Sequence, residues 1–267
     1  MKYKLFISDF DGTLGKAPDF IDRQTVESIK EYEKKGGKFV ICTGRSYLSI
    51  KKVFDKYGLG GIIVAFQGAL AIDDKENRTL FDGGIDKQTA QAITLDMLKE
   101  DIEMGVYIGD IFHYERKGFA ISEYQRLVGV QGKLVDSLVD TIKTTDKQVR
   151  KALAIAQPEK VKSLMCSLSE KYKGTLTINA SAPMFLEIIN PEWSKGKAVE
   201  RIAKHLNIPL SSVITVGDSL NDKELIDGNW HGVVVGDAME EVKPYAKEIT
   251  VDFKDNPVKF LLEKYCL

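Results

Sequence analysis

The chain opens with a short apolar-rich run over residues 3–8 that ends on Asp9, which predicts a buried strand. The period then changes. Val26, Ile29 and Tyr32 recur at helical spacing behind Asp22, a good N-cap residue, and Gly36–Gly37 stop that helix before a second strand at Lys38–Cys42. A helix over 46–57, with Ile50, Val53, Phe54 and Tyr57 on one face, leads to a third strand over 61–66. Strand, helix, strand, helix, strand predicts a parallel sheet with crossover helices.

The same alternation returns toward the C-terminus. Val199, Ile202, Ala203 and Leu206 mark a helix, strands follow over 213–216, 232–235 and 248–251, and Pro257 suits the first turn of a last helix. Between these halves the texture shifts to paired short strands, 104–108 and 111–115 about a Gly109–Asp110 turn, then a helix marked by Val161, Leu164, Met165, Leu168 and Tyr172, then strands over 175–179 and 184–189. The expected architecture is α/β: a parallel-sheet core of residues 1–83 and 190–267, with an α+β domain, 84–189, inserted into it.

Composition narrows the function classes. Lys plus Arg total 38 against 39 Asp plus Glu, a net charge of −1, which argues against nucleic-acid binding driven by bulk charge. No apolar run is longer than that of residues 62–66, far below the ~20 needed to span a bilayer, and no apolar leader precedes the first acids. A cytoplasmic protein with neither membrane nor nucleic-acid partners is expected. Cys42, Cys166 and Cys266 form no CxxC pair, so reduced thiols are expected, with Cys42 a small buried hydrophobe in its strand.

Four polar clusters each fall where a strand is predicted to end. Asp9-Phe10-Asp11-Gly12-Thr13-Leu14 follows the first strand, and residues i and i+2 would project two carboxylates together. A divalent cation such as Mg²⁺ would neutralise them; a solvated turn is the plainer reading. Thr43-Gly44-Arg45 leads into a helix whose first N–H groups can meet an anion, or simply caps it. Ser194-Lys195-Gly196-Lys197 could bring a compact positive charge to a phosphate, although most lysines are solvated. Gly217-Asp218-Ser219-Leu220-Asn221-Asp222 adds two carboxylates and an amide, which suit an oxygen-rich metal site or, for Asp222, a helix cap.

In this order and spacing, the DFDGT, TGR, SKGK and GDSLND segments resemble those of the haloacid dehalogenase superfamily of phosphatases, and within it the Cof-type group with an inserted C2-type (IIB) cap. The core resemblance covers residues 1–83 and 190–267. It implies a Rossmann-like core in which Asp9 is the nucleophile that forms an aspartyl-phosphate and Asp11 the general acid and base. It implies Mg²⁺ held by Asp9, the backbone carbonyl of Asp11 and Asp218, with Asp222 supporting from behind. Phe10 (through its backbone), Thr43, Gly44, Lys195 and Asn221 would grip the phosphate.

Two departures stand out: Gln67-Gly68-Ala69 where relatives often carry Asn-Gly-Ala, and a tail after Asp255-Asn256 without the usual Gly-Val. The inserted cap would read the leaving group, with Tyr107, His113, Tyr114, Glu115 and Arg116 as candidates, and Trp193 is read as packing at the domain crossing. The implied activity is Mg²⁺-dependent hydrolysis of small phosphorylated metabolites, sugar phosphates foremost, by a monomer or weak homo-oligomer. The alternatives are a phosphomutase of the same fold and a catalytically silent sugar-phosphate-binding regulator.

Overall fold

The computed structural model describes residues 1–17, 19–100 and 102–267. The chain divides into two compact units, Met1–Phe81 with Ser194–Leu267, and Asp82–Trp193. In chain order, the first unit begins with β1 (Leu5–Ser8), a small hairpin of β2 (Gly15–Lys16) and β3 (Phe20–Ile21), α1 (Arg23–Lys34), β4 (Lys38–Cys42), α2 (Tyr47–Tyr57), β5 (Ile62–Ala65), β6 (Leu70–Asp73) and β7 (Arg78–Asp82). The second unit contains α3 (Lys87–Leu98), β8 (Glu103–Ile108), β9 (Ile111–Tyr114), α4 (Phe119–Val128), β10 (Gly132–Leu134), α5 (Leu138–Thr144), β11 (Val149–Ile155), α6 (Pro158–Lys171), β12 (Thr177–Ala182) and β13 (Phe185–Ile189). The first unit resumes with α7 (Lys195–His205), β14 (Val213–Gly217), α8 (Lys223–Ile226), β15 (His231–Val234), β16 (Glu248–Ile249) and α9 (Pro257–Tyr265).

The first unit is built on a sheet of order β16-β15-β14-β1-β4-β5-β6-β7. From β16 to β5 every pairing is parallel, but β6 runs antiparallel to β5. The core strands read from the sequence pair in parallel as expected, and β6, which that reading did not include, adds an antiparallel edge: only residues 66–69 separate it from β5, too few for a crossover helix. At the centre, β1 lies between β14 and β4, with Ser8 in register with both Val216 and Ile41. The three chain segments that leave these strands, at Asp9, Thr43 and Asp218, thus start side by side.

Alternation along β1 divides its side chains between two cores, as a strand covered on both faces requires. Phe6 packs with Tyr32 of α1 and with Phe39, whose ring stacks on it at 5.8 Å, while Leu5 and Ile7 join Val199, Ile202 and Ala203 of α7. Asp22 works as read, accepting from the backbone N–H groups of Gln24 and Thr25 to start α1, while Ser46, read as the first residue of the second helix, instead caps it. At the tail, Asn256 adopts the left-handed backbone (φ 57°) that turns the chain into α9, a conformation asparagine tolerates.

The second unit is a six-stranded sheet, β10-β9-β8-β11-β13-β12, with α3, α5 and α6 contributing Ile93, Met97, Leu138, Ile142, Leu164 and Leu168 to one core. Helix α3 has a weak periodic signal because Ala92 and Leu95 lie on its exposed side while Thr94 sits on the buried one, and its cap, Asp86, accepts from Thr89 N–H. No helix of the described residues is long and apolar enough to cross a membrane. Phe6→Ala is expected to lower stability by about 3–5 kcal/mol, because it empties a fully buried site between two aromatic rings. Urea denaturation followed by circular dichroism checks this value.

Candidate active site

Asp9 is the first residue beyond β1, and its N–H donates to Val216 O (2.9 Å), which ties it to the end of β14. Its carboxylate is buried and accepts from Lys195 Nζ at 2.5 Å. The same ammonium donates to Asp222 Oδ1 at 2.6 Å, and both Lys195 and Asp222 are buried. Lysine in the first turn of a helix opposes the helix dipole, so the start of α7 is an unfavourable place for this charge unless acids meet it. Here two do.

Asp222 faces two ways. Its Oδ2 accepts from the N–H groups of Asp218 (3.1 Å) and Ser219 (3.2 Å), so it caps the turn that follows β14 while its other oxygen holds Lys195. Asp218 accepts from Thr13 Oγ1 at 2.9 Å, which links the two acidic segments. Gly12 makes that approach possible: its backbone is left-handed (φ 83°), and a Cβ there would stand 2.6 Å from Asp218 Oδ2.

One carboxylate oxygen each from Asp9, Asp218 and Asp222 lies within 4.8 Å of the others. Against these three carboxylates stands one buried ammonium, which leaves a deficit of two positive charges. The consequences are visible in proton affinity. Burial, then the charge of Asp222, raises Asp9 well above the usual aspartate range, although Lys195 opposes the rise. Burial and Asp222 likewise push Asp218 up to about 7. Burial would depress Lys195, but Asp222 and Asp9 outweigh it and hold the ammonium above its ordinary value. Hard oxygen donors short of two charges fit a divalent cation, which would favour the ionised acids.

Strand geometry ends at Ser8, and Asp11 lies in the turn beyond it: its carboxylate is half exposed and takes a forked pair from Arg45, Nε to Oδ2 at 2.8 Å and Nη2 to Oδ1 at 2.6 Å, while its charge still reaches Asp218. Arg45 also lies over the ring of Phe10, 4.5 Å from its centroid. Phe10 itself is buried, and its carbonyl accepts from the N–H groups of Leu14 and Gly15. Thr43 is buried, with Oγ1 accepting from Arg45 N–H (3.2 Å), and Gly44 stands beside it. Asn221 is half-buried and accepts from Ser219 Oγ (2.6 Å). Thr13 and Arg45 received no role from the sequence, although both lie inside motifs that were read: their partners, Asp218 and Asp11, are apparent only in space. Beside this array Cys42 is buried, and burial pushes its thiol up to about 12, so it is an inert packing group.

The second unit sorts its own candidates. Tyr107 is buried with its hydroxyl 2.8 Å from that of Tyr124, and Tyr114 packs on Phe112. His113 lies in register with Val106, a residue of the helix-covered core, and burial depresses its pKa; Glu115 accepts from Leu138 N–H at the start of α5. Arg116 is exposed. The Trp193 ring lies against Gly83, where a Cβ would stand 1.9 Å away, in keeping with a packing role.

Asp218 supplies a pH signature. Its folded value near 7 exceeds the unfolded 3.8, so between these values the folded state keeps a proton that the unfolded chain has lost. The contribution of Asp218 to the stability of chelator-treated protein is therefore expected to fall as pH rises through this window and to level off above it. Melting temperatures of wild type minus those of Asp218→Asn measure that slope. A divalent cation should stabilise the wild type more at pH 8 than at pH 5.

Comparison with known proteins agrees with this geometry. A family model described as haloacid dehalogenase-like hydrolase matches residues 6–262. Phosphatase YwpJ of Bacillus subtilis (strain 168) is 23% identical over 97% of this chain and 99% of that protein, and the HMP-PP phosphatase of Yersinia pseudotuberculosis serotype O:1b (strain IP 31758) is 23% identical over 93% and 89%. Among solved structures, a haloacid dehalogenase-like hydrolase from Bacteroides thetaiotaomicron superposes with a TM-score of 0.86 at 21% identity, covering 98% of this chain and 99% of that one. The subclass IIB sugar phosphatase BT4131 superposes with a TM-score of 0.82 at 19% identity, covering 98% of each chain. With a family model spanning nearly its whole length, the chain belongs to the haloacid dehalogenase-like hydrolase family, where it stands among the phosphatases.

Proposed function

We propose that the protein is a Mg²⁺-dependent phosphatase of small phosphorylated metabolites, sugar phosphates foremost, working through an aspartyl-phosphate. The observation that carries this reading is the array of buried Asp9, Lys195 and Asp222 with half-buried Asp218, three carboxylates around one ammonium. A carboxylate attacks a phosphate dianion only where positive charge offsets both, and this array is built to accept it. The names of two similar proteins support the substrate class: an HMP-PP phosphatase and a sugar phosphatase.

In this mechanism, Asp9 and Asp218 with the Asp11 carbonyl would hold Mg²⁺, and Asp222 would steady the site from behind. Bound there, the ion supplies charge neutralisation for the phosphate and the two acids. Thr43, Gly44, Lys195, Asn221 and the Phe10 backbone orient the phosphate oxygens. An oxygen of Asp9 attacks phosphorus as the bond to the leaving oxygen breaks, and Asp11 gives that oxygen its proton. Asp11, now a base, takes a proton from water; the hydroxide attacks the same phosphorus, releasing inorganic phosphate and restoring Asp9. The forked pair with Arg45 is the resting arrangement of Asp11, and the carboxyl leaves it to serve the leaving group. The second unit acts as a cap that reads the leaving group.

The test is phosphate release from a panel of sugar phosphates, nucleotides and other small esters, with Mg²⁺ and with chelator. Wild type is expected to release phosphate only with metal, and Asp9→Asn to lose at least about 10³-fold. Isomerised sugar phosphate with little free phosphate would identify a mutase, and ligand binding without turnover a regulator; either result contradicts the proposal.

A further inference from the structure

Five non-glycine residues among those described have a left-handed backbone: Phe66, Gln67, Asn77, Asn207 and Asn256. Asparagine tolerates that region. The other two, Phe66 (φ 52°) and Gln67 (φ 58°), have no such excuse and are consecutive. They form the turn that carries the chain from β5 back into β6.

The contacts of this turn lead to the active-site loops. Phe66 N–H donates to Arg45 O (2.9 Å) and Gln67 N–H to Thr43 O (3.0 Å), so the turn is fastened along the Thr43-Gly44-Arg45 segment. Next, Gly68 (φ 105°) lies so close to the start of α7 that a Cβ there would stand 2.3 Å from Ser194 O and 3.1 Å from Lys195 N. One strained turn therefore touches both the loop of Thr43 and the base of Lys195. The buried Gln67 side chain completes the brace, because a Cβ on Gly44 would stand 2.4 Å from Gln67 Nε2. A glycine at 67 could make the same turn without penalty, so the cost of glutamine's backbone is set against what its amide does over Gly44.

We infer that Gln67 is a positioning residue for phosphoryl transfer: its amide, held over Gly44 by the strained turn, fixes the Thr43-Gly44 backbone in the geometry that receives the phosphate. The inference rests on the phosphatase reading above. A phosphate end common to all substrates means that the loss of Gln67 acts on every ester alike, whatever its leaving group.

The experiment compares wild type, Gln67→Gly and Gln67→Asn in hydrolysis of p-nitrophenyl phosphate and two sugar phosphates with Mg²⁺, in inhibition by inorganic phosphate, and in thermal melting. Gln67→Gly relieves the left-handed strain but empties a buried site, so its melting temperature is expected to move by no more than a few degrees, yet it should lose about tenfold or more in kcat/KM by a similar factor on every ester, with a matching rise in the inhibition constant of inorganic phosphate. Gln67→Asn keeps an amide that tolerates the backbone and should recover part of the loss. Retention of kcat/KM within about twofold, a loss confined to one leaving group, or a loss that tracks a lowered melting temperature would each overturn the inference. A wild type that hydrolyses none of the esters overturns the phosphatase reading and this inference with it, whereas an active wild type with an unaffected Gln67→Gly overturns this inference alone.

Discussion

The ammonium of Lys195 lies buried between Asp9 and Asp222, and the surrounding structure is arranged around that contact. Removing one partner of a buried ion pair typically costs about 3–5 kcal/mol, because the other charge is left unpaired out of water. The fold accepts that risk by tying every participant to the backbone. Asp9 is fixed to β14 by its own N–H, Asp222 accepts from two N–H groups of the turn it caps, and Lys195 is set in the first turn of α7 behind the Ser194 cap. None of the three can move far without breaking secondary structure, which is the kind of preorganisation that charge-stabilised chemistry needs.

The same contact explains why the site is incomplete in charge. A single lysine cannot neutralise Asp9, Asp218 and Asp222, and the raised proton affinities of Asp9 and Asp218 are the physical trace of the shortfall. A divalent ion and a phosphate would then enter an environment already shaped by oxygen donors and one fixed cation. Around it stand neighbours that answer to the same geometry: Thr13 on Asp218, Arg45 on Asp11, and the strained turn at 66–68 that fastens the Thr43 loop and meets the start of α7.

Much of this was legible in the chain because it is local. Strand ends carry the acids, Asp22 caps the helix it precedes, and the order of the four polar segments points to the family. What could not be read is what depends on contacts far apart in sequence. Thr13 meets Asp218 across 205 positions, and Arg45 takes the Asp11 carboxylate from a separate motif. The antiparallel return at β6 depends on left-handed backbone at Phe66 and Gln67, for which neither side chain gives a signal. Helix α3 gives a faint periodic signal because apolar Leu95 lies on its exposed side and Thr94 on its buried one.

The most direct measurement is calorimetric titration of Mg²⁺ into chelator-stripped protein at about pH 6, in two buffers of different ionisation enthalpy, since Asp218 near 7 is then largely protonated. Binding of a single ion per chain with proton release to the buffer is the expected result. Failure to bind, or binding with no proton released, would contradict a centre that lacks two positive charges.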